Sequence, residues 1–210
     1  MILIFLALLL SYLLGSLLAG PLLARFLGQD LRSAGSGNPG ATNAVRLLGR
    51  RAGYAVFLWD AGKGWLAGLY IPLWFAPHAM GWLPPLTVLA ALLGHVYPVF
   101  SRFRGGKGVA TFLGGTLALA PPLALLTLLA WAIIFYATGY VVLASAASAV
   151  GFAVLAWIWP GTWPRVMIGT YGILSALILI WRHRANFGRL IGGVEHRSTR
   201  RWRRRKGSRA

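Results

Sequence analysis

Residues 102–115 read RFRGGKGVATFLGG, five glycines around one lysine in a chain that is otherwise apolar. Glycine lets the backbone turn its N–H groups toward an anion, and lysine adds a point charge. A phosphate cradle is the chemistry this stretch offers. It is not an NTP-binding loop: Gly108 follows Lys107 where Ser or Thr is required, and Ser101 stands where the first glycine should be. Instead a Gly-Gly-Lys-Gly turn runs into a predicted helix near Val109, and helix N-termini attract phosphate. The alternative is that the glycines only allow close helix packing, which suits Gly114 and Gly115 and leaves Lys107 unexplained.

Two more stretches have this character. SAGSGNPGATNAVRLLGR (33–50) sets small polar residues beside Arg46, an arrangement suited to an anion nest or to a plain flexible loop. RHRANFGRLIGGVEHR (182–197) places His183 and Asn186 three apart, on one face if the helix continues past the last apolar run. Glu195 is one of only three acids in the chain. Asp60 and Lys63 lie three apart inside an apolar run, either as a self-neutralising pair or with Asp60 steadying an arginine. Ser145 is a site candidate or a helix-packing serine. No Ser-His-Asp triad, His-x₄-Asp pair or HExxH-type metal cluster is present in these motifs, and no cofactor is implied.

The elements that position these residues follow from composition. Hydrophobic residues are 58% of the chain and charged residues 11%, which places it in a bilayer. There are no cysteines, so disulfides and thiolate chemistry are excluded. Apolar runs cover 1–24, 52–76, 81–100, 108–120, 122–138, 140–159 and 165–182. The first has no charge before Arg25 and reads as a retained span rather than a signal peptide. The fourth reaches only ~20 Å against a hydrocarbon core of ~30 Å, so it must be partial or deeply seated.

Basic residues decide the count. Segments 25–51, 101–107 and 182 onward are rich in Arg and Lys, whereas the turns near 77–80, 121–122 and 139 have none. Splitting at Pro121-Pro122 gives seven spans and puts all three basic segments on the cytoplasmic side; merging puts the most basic one outside. The expectation is an all-α polytopic membrane protein with seven transmembrane helices, N-terminus outside and C-terminus cytoplasmic. Residues 1–196 form one integral-membrane domain. Residues 197–210 form a disordered basic tail, carrying much of the net charge of +18, that lies on anionic lipid rather than nucleic acid.

Taken together, SGNPGATNAVR (36–46), GHVYPVF…FRGGKGVAT (94–111) and RHRANFGRLIGGVE (182–195), with DAGKG (60–64), resemble the PlsY family, the bacterial acyl-phosphate:glycerol-3-phosphate acyltransferases. The resemblance runs from Met1 to about Glu195. It implies transfer of a fatty acyl group from acyl phosphate to the 1-hydroxyl of sn-glycerol 3-phosphate, giving lysophosphatidic acid and phosphate, the first step of phospholipid synthesis. It places the protein in the cell inner membrane with a site facing the cytoplasm. Its implied partners are glycerol 3-phosphate, acyl phosphate, membrane lipids and the soluble enzyme that makes acyl phosphate.

Carried onto this chain, the family's motifs imply that Ser36, Arg46, Lys107 and Ser145 contact substrate phosphate. Gly105, Gly106, Gly108 and Thr111 would cradle the acyl-phosphate end, with Thr42 and Asn43 shaping the wall between. His183 and Asn186 would lie at the glycerol hydroxyls, oriented by Glu195. The family's sixth-span signature carries a hydroxyl where this chain has Val142. The rivals are a transporter for a phosphate-bearing anion and a basic membrane scaffold for nucleic acid. Polar motifs gathered at one face disfavour the first, and the second leaves the three motifs without a role.

Overall fold

The computed structural model describes residues 1–198, apart from residues 160, 162 and 163. The basic tail expected over 197–210 therefore lies almost wholly outside the described residues. Among these, regular structure is helical throughout. The helices are α1 (Ile2–Ser16), α2 (Ala19–Phe26), α3 (Ala41–Leu48), α4 (Arg50–Phe75), α5 (Leu83–Val96), α6 (Val109–Leu119), α7 (Pro121–Thr138), α8 (Val141–Ile158), α9 (Arg165–Arg182) and α10 (Arg184–Ile191).

Each of the seven apolar runs folds as helix, α1 and α2 together forming the first. Among the described residues, five stretches are both long and apolar enough to cross a bilayer: Ile2–Phe26, Leu83–Ser101, Pro121–Thr138, Val141–Ile158 and Arg165–Arg182. The other two differ for clear reasons. α4 has 26 residues but buries Asp60 and Lys63 midway, and α6 has only 11. The chain does break before Pro121, where Ala120 leaves helical geometry (φ −150°, ψ 78°) and the proline opens α7 at a position that needs no N–H. Gly139, left-handed at φ 78°, closes α7.

Helix backbones approach closely where glycine removes the side chain. A Cβ on Gly64 would run into the Thr111 carbonyl, and one on Gly114 into the Ala61 carbonyl, so α4 and α6 lie backbone to backbone. α1 and α5 meet the same way at Gly15 and Gly94. Aromatic rings fill the far side, with Phe112, Phe152 and Tyr171 in mutual contact between α6, α8 and α9. α7 is peripheral, its Leu125, Leu129, Ile133 and Tyr136 all exposed. These contacts fix the short α6 against α4, and Arg182 at the end of α9 holds the glycine turn that precedes it.

Candidate active site

The loop before α3 is organised by one side chain. Asn43 is fully buried; its Oδ1 accepts from the Ser36 N–H (2.9 Å), and its Nδ2 donates to the carbonyls of Leu31 (2.9 Å) and Ala34 (3.2 Å). Satisfying three backbone groups at once holds Ser36 in place. α3 then carries Thr42 and Arg46 to the same side.

The glycine turn is held from two directions. The Gly106 N–H donates to the His95 carbonyl (3.1 Å) at the end of α5. Arg182, at the end of α9, donates through Nε to the Gly106 carbonyl (3.1 Å) and through Nη2 to the Gly105 carbonyl (3.0 Å). A Cβ on Gly106 would strike the His95 ring. Gly108, left-handed at φ 86°, then turns the chain into α6. Its N-terminus opens on a cavity of about 280 Å³ through Val109 and Ala110.

Helix α9 ends at His183, a one-residue interruption, and α10 resumes at Arg184 with the Asn186 N–H on the His183 carbonyl (2.8 Å). His183 and Asn186 both line the cavity. A relay crosses it: Lys107 Nζ donates to Asn186 Oδ1 (2.5 Å), Asn186 Nδ2 donates to Glu195 Oε1 (2.7 Å), and Arg189 Nε pairs with Glu195 Oε2 (2.8 Å). Asn186 thus holds Lys107 through Oδ1 while its Nδ2 is anchored on Glu195. His183 Nδ1 bonds the Leu179 carbonyl (2.8 Å), which requires the proton on Nδ1. Its buried Nε2 then carries a lone pair and has no hydrogen-bond partner among the described residues.

Charge follows from this crowding. Burial holds the Lys107 ammonium down to about 8; Glu195 opposes the shift, while Arg189, Arg46 and Arg182 add to it. Burial, and then the Lys107 charge, pushes His183 down to about 4, so its ring is neutral at physiological pH.

Nine of the thirteen site residues expected from sequence therefore line one cavity: Ser36, Thr42, Arg46, Lys107, Gly108, Ser145, His183, Asn186 and Glu195. Four lie outside its lining. Asn43 is spent on the loop, the Gly105 and Gly106 carbonyls face Arg182, and Thr111 is buried in the α4–α6 contact. Asp60 pairs with Lys63 (2.9 Å) and faces His95 Nδ1 at 3.5 Å, and both Asp60 and His95 line the cavity. Ser145 Oγ accepts from Trp131 Nε1 (3.1 Å), and Val142 is buried in the lining.

His95 and Arg182 are not among the residues expected from sequence. Both stand inside the quoted motifs, but Arg182 holds backbone carbonyls and His95 lends its own carbonyl to the Gly106 N–H, tasks that type and spacing do not announce. Arg182→Gln is expected to raise the Michaelis constant for the phosphate substrate about tenfold, because a looser turn weakens one charge-assisted hydrogen bond from Lys107 to phosphate. It should leave the acid limb of the pH profile in place. An unchanged Michaelis constant would show that the turn holds its shape without Arg182.

From the charged end the cavity continues between α6, α7 and α8, past Phe112, Leu113, Val141 and Trp131 to Leu128. Leu128 is itself 44% exposed on the outer apolar surface. The bundle thus holds a pocket with a cationic, N–H-rich head and an apolar arm reaching toward lipid, the form of a membrane enzyme acting on an anionic lipid-like substrate. The family model for glycerol-3-phosphate acyltransferase matches residues 5–193. The glycerol-3-phosphate acyltransferase of Aquifex aeolicus is 43% identical over 190 residues, covering 89% of this chain and 95% of that one. That of Methylobacillus flagellatus is 44% identical over 193 residues, 88% and 92% of the two chains. Among solved structures, the glycerol 3-phosphate form of PlsY, an integral membrane glycerol 3-phosphate acyltransferase, superposes with a TM-score of 0.85 at 40% identity, covering 92% of this chain and 94% of that one. Its lysophosphatidic acid form gives a TM-score of 0.83. The chain belongs to the glycerol-3-phosphate acyltransferase family and is a multi-pass integral membrane protein.

Proposed function

We propose that the protein transfers a fatty acyl group from acyl phosphate to the 1-hydroxyl of sn-glycerol 3-phosphate, releasing lysophosphatidic acid and inorganic phosphate. One observation carries this reading: a single cavity joins Arg46, Lys107 and the α6 N-terminus to an apolar arm that ends at exposed Leu128. Both substrates carry phosphate, and one also carries a chain that lives in the bilayer. The glycerol hydroxyl attacks the acyl carbonyl. The tetrahedral oxyanion collapses, the carbonyl–O–phosphate bond breaks, and phosphate leaves with the electron pair.

Phosphate is a good leaving group, so positioning and charge stabilisation do most of the work. Lys107 and Arg46 hold substrate phosphate, with Ser36 and Ser145 as further donors. Asn186, oriented by Glu195, fixes Lys107. His183 Nε2 accepts from a glycerol hydroxyl, and the transferred proton goes to a phosphate oxygen of the substrate.

The test is purified protein in detergent with glycerol 3-phosphate and each of acyl phosphate, acyl-CoA and acyl-carrier protein, followed by phosphate release and product formation. Turnover with acyl phosphate alone is expected. Faster turnover with either thioester would reject this donor assignment while leaving the acceptor intact.

The same reading has seven spans, an outside N-terminus and the site at the cytoplasmic face of the inner membrane, where a soluble acyl-phosphate-forming enzyme can deliver substrate. Single cysteines placed in 33–50, 102–108 and 183–210 of this cysteine-free chain should all resist an impermeant thiol reagent in intact cells. Labelling of the third segment but not the first would restore a six-span topology.

A further inference from the structure

A second concavity, sharing no residue with the first, lies between the end of α2 and the turn after α5. Its volume is about 700 Å³, and Arg25, Arg32, Arg102 and Arg104 line it with one acid, Asp30. Asp30 Oδ1 accepts the Arg32 N–H (2.8 Å), and the balance is four cations against this one acid. Arg32 Nη2 donates to the Arg104 carbonyl (3.2 Å), tying the two walls together. Among the described residues, no salt bridge reaches any of the four arginines.

The turn that carries two of them is unusual. Arg102 and Phe103 are consecutive non-glycine residues in left-handed conformation, at φ 51° and 59°. Such residues store strain and persist only where their surroundings fix them. Here the Phe103 N–H on the Pro98 carbonyl (2.9 Å) and the Arg104 N–H on the Ser101 carbonyl (3.1 Å) do so. Phe100 in the lining is 62% accessible, and Phe26 and Phe103, each next in sequence to a lining arginine, are 87% and 60% accessible, so the arginines are bordered by an exposed apolar rim. Phe26 ends the first membrane-length stretch and Phe100 lies in the last turn of the second, so this rim sits where hydrocarbon gives way to headgroups. The glycine turn begins immediately after Arg104.

We propose that this concavity binds the phosphate headgroup of an anionic phospholipid of the surrounding leaflet. The arginines take the phosphate, and the phenylalanines border its acyl chains. A soluble anion would satisfy the arginines but would leave the three exposed rings without a role, which favours a lipid.

Native mass spectrometry of the delipidated full chain, titrated with phosphatidylglycerol or phosphatidylcholine, tests this. The wild type should retain phosphatidylglycerol preferentially. Arg25→Gln/Arg102→Gln should weaken that binding about tenfold or more, the scale of two headgroup-facing cations. The equal charge loss of Arg201→Gln/Arg203→Gln in the tail should weaken it less than about threefold. Equal losses in the two double variants would reduce the effect to diffuse charge and overturn the proposal. So would wild-type affinity in the first, or displacement of the lipid by millimolar inorganic phosphate. If the first variant has a lowered Tm in phosphatidylcholine, the unaltered protein answers instead. A photoactivatable phosphatidylglycerol should label residues 97–104, and labelling confined to other segments would overturn the assignment.

Discussion

Lys107→Ala is expected to lower kcat/KM for glycerol 3-phosphate at least ~100-fold, the ~3 kcal/mol scale of a charge-assisted hydrogen bond. The lysine is held on a fixed turn by Asn186 and opens on the same cavity as Arg46 and the α6 N-terminus. Its charge is in place before substrate arrives, so little reorganisation is needed. Stability should not follow activity down. Lys107 is held down to about 8 from 10.5 by burial, so between those pH values the unfolded chain binds a proton that the folded chain lacks. Stability contributed by this group therefore rises with pH through that window, and below it the buried ammonium is a net cost. At pH 7 the Tm of Lys107→Ala should stay close to that of the wild type, relief of the buried ammonium offsetting the lost bond to Asn186. Activity runs opposite to stability: the Michaelis constant of the wild type should climb above about pH 8 as the free enzyme loses the ammonium. Wild-type kcat/KM in Lys107→Ala would remove the phosphate cradle from the mechanism.

What the sequence discloses of this site depends on which groups carry its chemistry. Arg46, Lys107, His183 and Asn186 are polar types in an apolar chain, so their presence alone marks them, and the structure brings all four to one cavity. The two-helix reading of 108–138 rests on a steric fact about adjacent prolines, and the chain breaks there. Residues acting on backbone are harder to read. Asn43 reads as a wall residue because Asn is a versatile side chain, yet all three of its hydrogen bonds go to the loop at 31–36. Gly105 and Gly106 read as anion donors because glycine frees N–H groups. In the folded chain, the Gly106 N–H goes to His95 and both carbonyls go to Arg182. A glycine that admits an anion and one that admits a neighbouring ring are the same letter. Only the His95 ring against Gly106 tells them apart. The relay from Lys107 to Glu195 spans positions 107, 186 and 195, a separation no local pattern encodes.

His183→Ala should lower kcat/KM on the order of 10- to 100-fold, the loss of one buried hydrogen bond to substrate, and mainly through the Michaelis constant for glycerol 3-phosphate. The shape of the pH profile separates two roles for this residue. The lone pair at Nε2 has no partner among the described residues, which suits either a general base or a hydroxyl acceptor. Burial and the neighbouring Lys107 charge push His183 down to about 4, so as a base in the free enzyme it would produce an acid limb near that value. A substrate phosphate taking the proton would produce its limb near ~6, the second pKa of a phosphate monoester. The two limbs are far enough apart to resolve. The wild-type profile should bend near pH ~6, and His183→Ala should bend there too, at lower amplitude. As a base, His183 would account for ~10²–10⁴ of the rate, and its removal would abolish the limb near 4. The environment argues for the weaker role. A ring this hard to protonate is a poor acceptor for a full proton, and its Nδ1 partner is the neutral Leu179 carbonyl rather than a carboxylate that would stabilise an imidazolium. A His183→Ala protein that binds glycerol 3-phosphate normally yet shows no turnover from pH 5 to 9 would reverse the assignment and make His183 the base.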